Sequence, residues 1–231
     1  MTYAPGNILF VGDSITTGNQ CAHGGYPSHT ITYLNERDGS GWAEAPTRYA
    51  KGGYTTHEMK GDIDGLISYY ANTGTPDYVF LYMGANDDYP LNDIGDWTHI
   101  NASHETVWKE SYTYIIEAIH TAYPLAIQFI GKSYRTGGTG EIEGWLPQFI
   151  FPWTDDLVAS ISYLYSGIKG YEILMAAYPD SLKAGDNVHP SCLGHQLLAQ
   201  GIRDEIFGLG GLHNPQQMSG GMQSLEGGMN G

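Results

Sequence analysis

The run from Ile8 to Val11 is apolar at four consecutive positions, as in a strand buried on both faces of a parallel sheet. Similar runs recur at Tyr78 to Met83 and Ala126 to Gly131, with weaker ones at Arg48 to Ala50 and Tyr171 to Leu174. Between them, apolar residues return near every third or fourth position over His57 to Ala71, His104 to Tyr123 and Ser191 to Phe207, which predicts amphipathic helices. In the middle helix Val107, Ile115, Ile116 and Ile119 mark the expected buried stripe. Strands alternating with helices imply parallel βαβ units, hence an α/β chain folded as a three-layer α/β/α sandwich.

Two connections, Asp87 to Ser103 and Lys132 to about Trp153, are too long for simple turns, and long loops in compact domains are usually functional. Both are aromatic. Tyr89 and Trp97 in the first, and Tyr134, Trp145 and Trp153 in the second, are candidate stacking faces for a sugar or an acyl chain, or rings that pin the loops to the core. After Phe207 the chain turns Gly/Met/Gln-rich without apolar periodicity and cannot bury enough surface to offset its ordering entropy. The expected organisation is one domain over residues 1–208 and a flexible tail over 209–231.

Composition narrows the partners. Against 10 basic residues stand 25 acidic ones, a net charge of −15, which disfavours nucleic acid and anionic membrane surfaces. No apolar run approaches the roughly 20 residues of a membrane span, and the N-terminus lacks the basic flank and apolar segment of a signal peptide. The protein therefore stays where it is made, or is a mature extracellular form whose leader was removed; the localisation and the oligomeric state stay open. Two cysteines, Cys21 and Cys192, are too few for a disulfide scaffold and default to free thiols. Cys21 follows Ser14 by seven residues and Cys192 follows His189 by three, so a disulfide is the alternative if those two residues meet.

Chemistry-bearing residues gather just past the predicted strands. Gly12, Asp13 and Ser14 follow the first; Gly52 and Gly53 follow the weak one; Gly84 to Asp88 follow the strongest; Asp186 and His189 precede the last helix. A serine past such a strand is either a helix cap, since Asp and Ser favour that role, or a nucleophile at the sheet edge where open α/β proteins bind ligands. Metal readings are weak: Asn86 to Asp88 with Asn92, Asp93 and Asp96 lacks the alternation of a calcium loop, and His57-Glu58 and His104-Glu105 lack the second histidine of a zinc protease.

Taken in order, these fragments resemble the four blocks of the SGNH (GDSL-type) hydrolases, from "FVGDSIT" to "DNVHPSCLGH". The resemblance implies a mainly parallel, flavodoxin-like sheet, Ser14 as nucleophile, His189 as base and Asp186 as its orienting carboxylate. It also implies Ser14, Gly53 and Asn86 as oxyanion donors, with no metal or cofactor required. Asp13, Tyr54 and Asp87 join the loop aromatics as candidate substrate contacts. Departures are small: Ala50-Lys51 stands where an asparagine often precedes the glycine, and Ile15-Thr16 replaces the leucine of the family label. A serine hydroxyl needs a base to become nucleophilic, and the oxyanion it creates needs donors already in place. The expectation is a serine esterase for a small-molecule or glycan ester, above all a carbohydrate O-acetylesterase, since "GDSIT" followed by "GGYPSHTITYL" is similar to acetylxylan-esterase-like members. A lipase, lysophospholipase or thioesterase of the same fold is the alternative, and a non-catalytic glycan-binding module the third reading.

Overall fold

Strand β1 (Asn7–Gly12) divides its side chains between two cores. Ile8 and Phe10 join one buried cluster, Leu9 and Val11 the other, and Tyr78 to Met83 alternate in the same way. That is why both runs are apolar at every position. The computed structural model describes residues 3–45, 48–71, 74–87, 102–133, 151–166 and 189–207. Besides β1, they form α1 (Ser14–Thr17), α2 (Gly25–Asp38), β2 (Ala43–Glu44), β3 (Tyr49–Ala50), α3 (Thr56–Tyr70) and β4 (Tyr78–Tyr82). Then come α4 (Ala102–Ala122), β5 (Ile127–Ile130), α5 (Phe151–Ser160), β6 (Leu164–Ser166) and α6 (Cys192–Gly201), which runs into a π-helical turn (Ile202–Ile206).

Among the described residues all strand pairs are parallel, in the order β2–β1–β4–β5–β6, with β3 also on β1. β2 and β3 share one edge of β1: Ile8 pairs with Glu44 and Val11 with Tyr49, so three steps along β1 match five along the edge chain. Helices α2 and α6 supply Tyr26, Leu34 and Leu198 to one face of the sheet, while α3, α4 and α5 supply Met59, Ile63, Tyr112, Ile116 and Leu157 to the other. The three-layer α/β/α arrangement is the result. After building its β2/β3 edge the chain crosses β1 to start β4, so strand order reverses between β1 and β4, where such sheets open a crevice at their carboxyl ends.

Several expectations need correction. Val107 is 51% exposed; at about 100° per residue it lies off the stripe, whose upper end is Trp108 and Tyr112, both buried. Trp153 is no loop ring: it lies in α5, 7% exposed, with its ring centroid 5.7 Å from that of Trp108 in the core. Helix α2 escapes the periodicity because much of its buried face is Gly25, Pro27 and Thr30, and β2 and β6 are too short to register. The strand expected at Tyr171 to Leu174 and the tail fall outside the described residues, as do Tyr89, Trp97, Tyr134, Trp145 and Asp186.

Candidate active site

β1 ends where only glycine fits. A Cβ on Gly12 would lie 1.9 Å from Thr16 Oγ1 and 2.5 Å from the Tyr82 carbonyl, so the chain turns hard against β4. Asp13, not Ser14, then caps α1, its Oδ1 accepting from Ile15 N–H at 2.9 Å. Ser14 is left with its hydroxyl unspent on the cap, and its Oγ lies 2.8 Å from His189 Nε2. Arg48 holds the other end of this short helix: its guanidinium pairs with Glu44 and donates to the carbonyls of Thr16, Thr17 and Gly24 at 3.2, 3.1 and 2.6 Å. The departure at Ile15-Thr16 is absorbed by packing, since Ile15 is buried and Thr16 Oγ1 lies 2.9 Å from Tyr26 Oη.

The second wall is the turn after β3. Gly53 takes φ +79° with open space on its Cβ side, and a Cβ on Gly52 would meet Ser14 Cβ at 3.8 Å. The glycine pair therefore brings backbone against the serine. Thr55 ends the turn in a reciprocal capping box with Glu58 at the start of α3. Lys51, beside it, sits 4.3 Å from the centroid of the Tyr54 ring and also bonds the Tyr54 hydroxyl, which donates to Asp62 at 2.6 Å.

The third wall comes after β4. Asn86 Nδ2 donates to the Tyr54 carbonyl at 3.1 Å, which engages one of its two N–H groups. Asp87 accepts from Thr56 N–H at 3.0 and 3.2 Å and also bonds the Thr56 hydroxyl. The Asn86 and Gly53 loops are thus tied twice, and Asp87, a candidate substrate contact, joins them. No residue pattern in the sequence marks that role.

Sequence reasoning also missed His195, fully buried on α6. Its Nδ1 accepts from Tyr26 N–H at 3.2 Å, so Nε2 carries the proton that meets the Asn19 carbonyl at 3.2 Å. A second correction concerns the thiols: Cys21 and Cys192 form a disulfide, with Cα atoms 4.8 Å apart. The meeting of Ser14 and His189 brings the two cysteines within bonding reach. Among the described residues no group of three or more His, Cys, Asp or Glu converges to hold a metal ion, and no helix is long and apolar enough to cross a membrane.

Two buried groups beside the site titrate in opposite senses. Burial pushes Asp13 up from 3.8 to about 6, opposed by the Ile15 N–H and nearby His189. The folded protein then keeps a proton that the unfolded chain gives up, so this contribution is full below about 4 and lost as pH rises through 6. Burial pulls His195 down from 6.5 to about 4, opposed by the Asn19 carbonyl. Here the unfolded chain protonates first, and the contribution present above 6.5 is lost as pH falls through 4. Each shift amounts to about 3 kcal/mol, so the two nearly cancel. Relative to wild type, His195→Asn is expected to gain melting temperature as pH falls from 7 to 4.5, and Asp13→Asn to lose it. Calorimetry across that range checks this; parallel slopes for the two variants would refute it.

No curated protein sequence matches the chain. Among solved structures, an α/β hydrolase enzyme from the Lake Arreo metagenome matches with a TM-score of 0.68 at 17% identity, over 90% of this chain and 99% of that one. An acetylxylan esterase of Geobacillus stearothermophilus matches with a TM-score of 0.66 at 19% identity, over 89% and 96%; catalytic mutants of that enzyme replace a serine and a histidine with alanine. A lipase/acylhydrolase of Enterococcus faecalis gives 0.65 at 20% identity, over 87% and 95%. At these identities the likeness is one of fold. The sequence pattern of the GDSL-like Lipase/Acylhydrolase family, however, spans residues 10–197, from β1 into α6, and the chain belongs to that family of carboxylic ester hydrolases.

Proposed function

We propose that Ser14 attacks the carbonyl carbon of an ester of a small acyl group on a glycan, with His189 as general base and general acid. The observation that carries this is the 2.8 Å contact between Ser14 Oγ and His189 Nε2, reached across 175 residues of chain. His189 takes the hydroxyl proton as Ser14 attacks, and returns it to the departing alcohol. Water activated by the same imidazole then releases the acid. The oxyanion is met by the N–H groups of Ser14 and Gly53 and by the second N–H of Asn86. Asp186 is the proposed partner of His189 Nδ1, fixing the tautomer and stabilising the imidazolium.

For the substrate, the acetylxylan esterase among the fold relatives and the net charge of −15 support an uncharged glycan ester over an anionic lipid surface. The lipase/acylhydrolase relative keeps a longer acyl chain as the second reading. Purified protein is expected to deacetylate acetylated xylo-oligosaccharides and 4-nitrophenyl acetate, and to lose rate steadily as the acyl chain of the 4-nitrophenyl ester lengthens. A preference for long chains would transfer the protein to the lipase reading. Glycan binding without hydrolysis of any ester would favour a binding module.

A further inference from the structure

The Cys21–Cys192 disulfide closes across the gap that the Ser14–His189 contact spans. One of its ends lies just after α1, and the other is the first residue of α6, three positions past His189. Nearly one turn further along α6, His195 bonds Asn19 and Tyr26, which flank Cys21 in sequence. The helix is therefore tied to segment 19–26 twice, once covalently and once by hydrogen bonds. The two ties act at different places. Buried His195 holds the body of the helix, whereas the disulfide holds its first turn, the end that leads back to His189.

We propose that this disulfide is a positioning element for the reaction: it keeps His189 within hydrogen-bond reach of Ser14, and breaking it lowers turnover while the sheet and α6 stay folded. The inference rests on the Ser14–His189 chemistry proposed above. His189 lies outside α6, so its distance from Ser14 depends on where the chain is pinned at Cys192. A misplacement of about 1 Å in a reacting pair lowers the rate on the order of 100-fold. Cys192 is partly exposed and Cys21 buried, which makes the Cys192 sulfur the accessible one. A thiolate of a dithiol such as dithiothreitol attacks it, and Cys21 departs as thiolate and takes up a proton. The reagent's second thiol then closes its own ring and frees Cys192. Two electrons pass to the protein, leaving two thiols on it and a cyclic disulfide on the reagent.

The test compares the full chain oxidised, reduced with dithiothreitol, reoxidised, and as the Cys21→Ser/Cys192→Ser double variant, all below the melting temperature of the reduced form. Three readouts are taken: kcat and KM for 4-nitrophenyl acetate, the rate at which a fluorophosphonate labels Ser14, and amide hydrogen exchange of residues 189–195 beside that of β1 and β4. Reduction is expected to lower kcat and the labelling rate about 10- to 100-fold, with KM changed by less than about 2-fold. Exchange should quicken in 189–195 alone, and reoxidation should restore every value. Equal turnover in the oxidised and reduced forms overturns the proposal, and so does exchange that quickens throughout the sheet, the mark of a general cross-link. Should the oxidised protein neither hydrolyse esters nor label at Ser14, the esterase reading has failed. The positioning role for the reaction then falls with it, whereas equal turnover in the oxidised and reduced forms beside intact Ser14 labelling overturns the positioning role alone.

Discussion

Replacing Ser14 with alanine is expected to lower kcat for 4-nitrophenyl acetate by about 10⁴-fold or more and to leave the fold intact. The hydroxyl is not the cap of α1, because Asp13 is. Among the described residues it hydrogen-bonds only His189 Nε2, and a single hydrogen bond of this kind is worth about 1 kcal/mol to stability. His189 is only partly buried, so water can take up the vacated position. Mass spectrometry adds an independent arm. Wild type quenched during turnover should carry one acetyl group on the peptide containing Ser14, and the variant none. Turnover that survives the substitution would remove Ser14 as nucleophile, whatever the family membership implies.

Asn86→Ala is expected to lower kcat about 100- to 1,000-fold with KM nearly unchanged, because the oxyanion exists only once the carbonyl has been attacked. The substitution also removes the Asn86–Tyr54 bond. The Asp87–Thr56 bonds remain to hold the two loops together, so the melting temperature should fall by only a few degrees. A rate loss accompanied by an equal rise in KM would assign Asn86 to substrate binding in place of oxyanion stabilisation. An unchanged rate would take it out of the mechanism.

Ser14 and Asn86 were legible as candidates for the same reason. Each comes just after a run that is apolar at every position. Such runs must be central strands of a parallel sheet, so the residues past their carboxyl ends gather at one edge of that sheet. Periodicity placed β1, β4, β5, α3 and α4 because each buries a continuous face. It failed where burial is carried by small or polar residues, as in Gly25, Pro27 and Thr30 of α2, and where aromatic residues took the place of aliphatic ones, as Trp108 and Tyr112 did in α4. Trp153 takes the second of the two roles open to the loop aromatics, packing in the core, and does so from a helix; nothing in a sequence says whether an aromatic side chain faces in or out.

The sequence by itself determined the layer order, the family and the residue types at each strand end, because those depend on local pattern and on motifs a few residues long. Only the tertiary structure decided which of these residues meet. The Ser14–His189 contact, the Cys21–Cys192 bond, the tie from Asp87 to Thr56 and the burial of His195 between Asn19 and Tyr26 join positions 31 to 176 residues apart. No local propensity encodes such contacts. They exist because a parallel sheet gathers the carboxyl ends of all its strands at one edge, where a buried ring or carboxylate must find its hydrogen bonds on whatever chain lies alongside.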